Sequence, residues 1–266
     1  MYLTFLKLGG SLITDKTRES TARIENIRLA AREIRRGREL RPELSLLIGH
    51  GSGSFGHFAA RKSGFGQNGN WSAYAETGAA AAQLNRLVTD TLLAEGLPVV
   101  SIQPSASARA REGELISLAD ENIRTALSHR LVPLIFGDVA FDETREMTIA
   151  STEKIFAFLA SRLNPARIVL VGEVEGVYTA DPRVDPNAEL IRELSPQIFA
   201  NLSANVGLSH GADVTGGMKD KVTRMLELVE KIPSLQVFII GAAGIVEALT
   251  QDEPRAGTRI MSKGRL

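Results

Sequence analysis

Short apolar runs recur at residues 2–8, 44–49, 98–102, 132–136, 167–171 and 236–240, and each reads as a buried strand. Between them, apolar positions repeat at helical spacing. Ile24, Ile27, Ala31 and Ile34 form one stripe, Leu84, Leu87, Val88 and Leu92 a second, and Met218, Val222, Met225, Leu226 and Val229 a third. Strands alternating with amphipathic helices predict an α/β protein with a mainly parallel central sheet. Two short β patterns flank a polar turn over residues 136–149, which predicts a hairpin. At Asn164-Pro165 the residue before proline is turned away from helix and a new strand begins at Arg167, so the expected lobes are 1–164 and 165–266. Residues 178–196, with Pro182, Pro186 and Pro196, read as a long irregular connection of the kind that often carries function.

Composition narrows the class. A chain of 266 residues is long enough to bury a full core. Its 31 basic and 31 acidic side chains cancel, which argues against a nucleic-acid or membrane-surface protein. Cysteine is absent, so disulfides, thiolate nucleophiles and cysteine metal sites are excluded. The N-terminal apolar stretch carries Lys7 and glycines, unlike a secretory leader, and no segment approaches the ~20 apolar residues of a membrane span. A soluble cytoplasmic protein is the expectation.

The candidate chemistry lies where strands run into glycine. Leu46-Leu47-Ile48-Gly49-His50-Gly51-Ser52-Gly53-Ser54-Phe55-Gly56-His57 leads a strand into a glycine-rich turn ending on a histidine. Such a turn lets backbone N–H groups converge on a phosphate, and a helix starting near His57 would add the positive end of its dipole. The first strand ends Lys7-Leu8-Gly9-Gly10-Ser11, with Lys16 close behind, and Asp213-Val214-Thr215-Gly216-Gly217-Met218-Lys219-Asp220-Lys221 places another double glycine before a helix. Three glycine turns with a lysine or histidine in reach suit a polyphosphate and its acceptor. Lys7, Lys16 and Lys221 are candidates for neutralising a transferring phosphoryl group. Lys7 stands in an apolar strand end, where an unpaired ammonium is costly. His57 closes the phosphate turn and reads as a ligand contact, whereas His50 reads as structural and His129 and His210 carry no motif.

Asp138 follows a strand end and Gly137, and either orients a lysine or takes part in the hairpin turn. The segment from Gly172 to Pro182, with Tyr178 and Asp181, is a candidate cradle for a nucleoside. A Walker A pattern is absent. Gly51 to Gly56 formally fits Gly-x-Gly-x-x-Gly, but a dinucleotide site needs an acid ending a second strand. Glu76, at about that distance, stands in a helical, alanine-rich context.

Together, Lys7 to Ser11, the turn to His57, Gly172 to Pro182 and Asp213 to Lys221 resemble the amino acid kinase superfamily in order and spacing across nearly the whole chain. Within it, Gly49 to His57, Lys16 and Asp213 to Met218 are similar to the isopentenyl phosphate kinases; fosfomycin kinase has a similar turn and stands as an alternative. The resemblance implies an open αβα sandwich with acceptor in the N-terminal lobe and ATP in the C-terminal lobe. It implies transfer of the ATP γ-phosphoryl group to isopentenyl phosphate, with Mg2+ and a homodimer. By the same resemblance, His57 bonds the acceptor phosphate, with Ser52, Gly53, Ser54, Gly137 and Asp138 on that side. Lys16 stabilises the transition state, and Lys7 and Lys221 contact ATP phosphates. Gly9, Gly10, Ser11, Gly53, Gly216 and Gly217 would be backbone contacts to ATP, with Tyr178 and Asp181 toward its nucleoside.

A phosphate acceptor needs no general base, because its second pKa near ~6 leaves the nucleophilic oxygen largely deprotonated. One departure stands out. Where these kinases usually carry Ser-Gly-Asp-Asp, this chain reads Ser151-Thr152-Glu153-Lys154, so Glu153 stands where an aspartate is expected to orient the lysines. A non-catalytic nucleotide sensor of the same fold is the alternative this departure opens. The small side chains of Thr77-Gly78-Ala79-Ala80-Ala81-Ala82, in a helix expected over 72–94, either leave room for a longer prenyl chain or permit close helix packing.

Overall fold

A computed structural model describes residues 2–67, 69–205 and 217–262. The chain begins with β1 (Tyr2–Leu8), α1 (Gly10–Ile13), α2 (Ile24–Leu40), β2 (Leu44–His50), α3 (Gly53–Ser63) and α4 (Trp71–Ala94). Next come β3 (Val99–Ser101), β4 (Arg109–Arg111), β5 (Glu114–Ser117), α5 (Glu121–Ser128), β6 (Val132–Phe136), β7 (Asp138–Asp142) and β8 (Glu146–Ala150). Then follow α6 (Thr152–Leu163), β9 (Arg167–Gly172), β10 (Val177–Tyr178), β11 (Leu190–Ile191), β12 (Glu193–Leu194) and α7 (Pro196–Asn205). The described chain closes with α8 (Gly217–Lys231), β13 (Gln236–Gly241), α9 (Ile245–Thr250) and β14 (Thr258–Ile260).

Among the described residues, eight strands form the main sheet in the order β12-β14-β13-β9-β1-β2-β6-β3. From β13 to β3 every pairing is parallel, and β14 runs antiparallel to β13. The six apolar runs are six of these strands. β1 pairs with β9 directly, so the sheet continues across Asn164, the left-handed C-cap of α6. A separate four-stranded sheet, β5-β4-β7-β8, contains the expected hairpin. Its turn is closed by Asp142, whose carboxylate accepts the N–H groups of Thr144, Arg145 and Gly113.

Alternation along the strands sorts the core into two layers. Leu3, Phe5, Leu47, Ile168, Leu170, Val237 and Ile239 pack with Phe156 and Leu159 of α6 and Val222 and Met225 of α8. Leu6, Leu8, Leu46, Ile48, Val169, Val171, Phe238 and Ile240 pack instead against α2, α4 and α9, through residues such as Ile27, Ile34, Leu84 and Ile245. This is the expected αβα sandwich. The same alternation sends Lys7 to the α6 side and His50 to the α4 side.

Two local expectations are corrected, and the alternative left open at Gly78 is narrowed. Leu87 is exposed, because the buried face of α4 runs through Leu84, Val88 and Leu92. Residues 178–196 are more ordered than their prolines suggest: β10 and β11 form a hairpin, and β12 joins the main sheet. At Gly78, α4 packs onto β7 so closely that a Cβ would stand 3.1 Å from Val139 Cγ2. The lack of a side chain at Gly78 serves the close packing of α4 on this sheet.

Candidate active site

The C-terminal ends of β1 and β2 lie side by side, with Lys7 level with Gly49 and Leu8 with His50. Each strand breaks into a short helix, and the two turns interlock. Gly53 has φ +51°, and a Cβ there would stand 2.3 Å from Thr14 Oγ1. A Cβ on Gly10 would meet Gly53 Cα at 2.9 Å. Only glycine permits this approach. Thr14 laces the turns together: its Oγ1 donates to Gly10 O (2.7 Å) and accepts from Ser54 N–H (2.9 Å). α3 therefore begins at Gly53, earlier than expected, and His57 rides in its second turn.

A cavity of about 790 Å³ opens over these turns. Gly9, Gly10, Ser11, Ser52, Gly53 and Gly137 line it, and Lys7 of β1, His57 of α3, Lys221 of α8 and Lys16 of the turn after α1 reach it. Gly10, Gly53 and Thr152 are the first residues of α1, α3 and α6, so helix N-termini with unsatisfied N–H groups converge there. Gly217 starts α8, which supplies Lys221; Gly216 and the rest of the third glycine turn lie outside the described residues.

Lys7 is buried and ion-paired with Glu153, in the first turn of α6. Burial pushes the Glu153 carboxyl up, but Lys7, Lys221 and the hydrogen bond from Lys7 outweigh it and hold the group below the usual carboxylate range. The Glu153 carboxylate thus answers two lysines, one from each expected lobe. Ser151 caps this helix by accepting Lys154 N–H at 3.3 Å.

Other predicted residues fall elsewhere. Ser54 is buried beneath the turn, where its Oγ accepts Thr21 N–H at 3.3 Å. Asp138, also buried, accepts N–H groups from Ser105 (3.0 Å) and Val139 (2.8 Å), and burial raises its pKa. Its carboxylate braces the start of β7 instead of the hairpin turn, which belongs to Asp142, and the carboxylate beside the lysines is Glu153. Neither Ser54 nor Asp138 lines the cavity. Tyr178 and Asp181 also lie outside its lining, and Arg183 holds the Asp181 carboxyl down at about 2. His50 is structural: it is fully buried, and burial pushes its imidazole down to about 4, with the Gly51 carbonyl acting upward and Lys7 downward.

Sequence reasoning missed Arg145, Lys154, Asp220 and Arg224 as lining residues, and the apolar wall of Phe65, Met147 and Ile149. Arg224 was discoverable, one helical turn beyond Lys221 on α8. It pairs with Glu114 through two 3.0 Å bonds, and Lys154 approaches the same carboxylate at 3.7 Å. Among the described residues, no group of three or more His, Cys, Asp or Glu side chains is placed to hold a metal ion.

An open parallel sheet whose strand ends carry glycine turns, helix N-termini and gathered ammonium groups defines a phosphate-handling α/β protein of the phosphotransferase type. The sequence model of the amino acid kinase family matches residues 3–241. Isopentenyl phosphate kinase of Methanothermobacter thermautotrophicus is 34% identical over 98% of this chain and 100% of that protein. The Methanocaldococcus jannaschii isopentenyl phosphate kinase is 31% identical over 83% of this chain and 85% of its own. A solved isopentenyl phosphate kinase structure superposes with TM-score 0.81 at 35% identity, covering 98% of this chain and 100% of that one. The chain belongs to the amino acid kinase family, among its isopentenyl phosphate kinases.

Proposed function

We propose that the chain transfers the γ-phosphoryl group of ATP to the phosphate of isopentenyl phosphate, giving isopentenyl diphosphate and ADP. The observation that carries this reading is the gathering of Lys7, Glu153, Lys221, Lys16 and His57 around one cavity floored by two interlocked glycine turns. Relatives at 34% and 31% identity that bear this activity in their names support the choice of acceptor.

An acceptor phosphate oxygen attacks the γ-phosphorus, a new P–O bond forms, and the bond to the β-phosphate oxygen breaks to release ADP. Two anions must be brought into line, so positioning and charge carry the catalysis. His57 donates to the acceptor phosphate beside the N–H groups of Ser52 and Gly53, and Gly137 borders the same side. Lys7 and Lys221, held by Glu153, meet the ATP phosphates with the N–H groups of Gly9, Gly10 and Ser11; Lys16 offsets charge on the transferring group. Phe65, Met147 and Ile149 give the acceptor's hydrocarbon an apolar wall. Magnesium, when bound, would supply positive charge that offsets the charge on the phosphates. The donor set fits an ion held mainly by substrate and water, since the cavity's carboxylates are Glu153, committed to Lys7, and Asp220.

In this reading 1–164 form the acceptor lobe and 165–266 the ATP lobe of a cytoplasmic homodimer. The test is a parallel ATP and magnesium assay with isopentenyl phosphate and with fosfomycin, following ADP release. ADP release with isopentenyl phosphate alone is expected; turnover of fosfomycin alone would replace the assignment, and ATP binding without turnover of either would favour a nucleotide sensor.

A further inference from the structure

His50 lies behind the glycine turn, and the proposed chemistry does not use it. Both of its ring nitrogens are nevertheless committed. Gly51 O, 2.9 Å from Nδ1, can only accept, so Nδ1 carries the hydrogen. Nε2 is then the acceptor, and it takes a hydrogen from Asn85 Nδ2 at 3.1 Å. Asn85 Oδ1 in turn accepts from Ser101 Oγ. One tautomer and one amide orientation satisfy the whole chain. The ring stacks on Phe136, with centroids 5.6 Å apart and planes 11° from parallel, which fixes its plane in the core.

The consequence falls on the next peptide. The Gly51–Ser52 bond is trans, so its carbonyl and its N–H point to opposite sides. With Gly51 O drawn inward to the imidazole, Ser52 N–H is turned outward, on the side where Ser52 and Gly53 line the cavity. At the N-cap of α3 this N–H has no intrahelical acceptor. It lies beside Gly137, with Ser52 N 3.7 Å from the point a Gly137 Cβ would occupy. The His50 carbonyl accepts Gly137 N–H (2.9 Å) and Thr152 Oγ (2.6 Å), tying β6, the turn and α6 at the same place.

We infer that His50 is a positioning residue: its Nδ1–H fixes the Gly51–Ser52 peptide so that Ser52 N–H points at the acceptor phosphate. This rests on the phosphotransferase reading. His50 touches neither substrate and transfers no proton. A histidine that merely fills the core would stabilise the fold without setting phosphate affinity.

Two amides separate these roles, because asparagine places its NH2 near the Nδ1 position and keeps the donor, whereas glutamine reaches the Nε2 position and loses it. For the full-length protein, KM for isopentenyl phosphate and for ATP is measured alongside the thermal midpoint, and the affinity for inorganic phosphate by calorimetry. His50→Gln is expected to raise the isopentenyl phosphate KM and weaken phosphate binding about tenfold, the worth of one hydrogen bond to a charged group. The ATP KM should change less than about threefold, and His50→Asn should stay within about threefold of wild type throughout. Where H50Q does not fold, His50→Ala repeats the comparison without added bulk. Wild-type phosphate affinity in H50Q, or equal impairment of H50Q and H50N with both KM values rising together, would overturn the inference. A wild-type protein without turnover but with the same ranking of phosphate affinities would overturn the proposed function and leave the role of His50 standing.

Discussion

The floor and the rim of the cavity are built from the same glycine turns and obey different rules. On the floor, Lys7 and Glu153 are buried against each other and His50 is locked beneath the turn. At the rim, Lys16 is exposed and His57 half-buried on the open side of α3. Floor groups are fixed by partners that also hold the fold, so their loss should damage stability and activity together. Rim groups stand on the open side of the backbone that carries them, so their loss should weigh on activity more than on stability.

The largest effect is expected from Glu153→Ala. It strands a buried ammonium, which costs about 3–5 kcal/mol of unfolding free energy by chemical denaturation, and it releases Lys7 and Lys221 from their common partner, so kcat falls as well. An E153A protein of wild-type stability would place Glu153 on the rim. Next comes His57→Ala, expected to lower kcat/KM for isopentenyl phosphate by about 100-fold while costing much less stability than Glu153→Ala. A parallel loss of stability would erase the distinction.

The third effect concerns pH. His50 titrates at about 4 when folded, below the ~6.5 of an unfolded histidine, so the unfolded state takes up the proton first on acidification. Its stabilising share is complete above pH ~6.5 and is lost as pH falls toward 4, amounting to about 3 kcal/mol over that window. His50→Asn should remove this limb from the stability profile, measured by denaturant titration at each pH. The smallest effect belongs to Glu114→Gln. Its bonds to Arg224 join β5 to α8, but the carboxylate is more than half exposed, so the unfolding midpoint should report a loss of about 0.5 kcal/mol.

Much of this division was legible in sequence. An ammonium at position 7 of an apolar strand demanded a partner, and the glycine run announced a phosphate turn. The identity of the partner was harder to read, because Glu153 follows Lys7 by most of a lobe and departs from the expected aspartate. The parallel register and the two-faced core bring α6 over Lys7, and neither is visible locally. Asp138 was misplaced for a related reason: a carboxylate at a strand end looks available, yet two backbone N–H groups had already engaged it. The start of α3 was set by the positive φ of Gly53 and by Thr14, a contact between two turns that spacing does not encode.

The most direct test of the account is the fate of the phosphoryl group itself. ATP labelled with 18O at the γ-phosphate is incubated with isopentenyl phosphate, magnesium and the protein, and the product is read by mass spectrometry. The account predicts isopentenyl diphosphate with the label confined to its terminal phosphate, formed one for one with ADP. Labelled inorganic phosphate with no labelled diphosphate would contradict it.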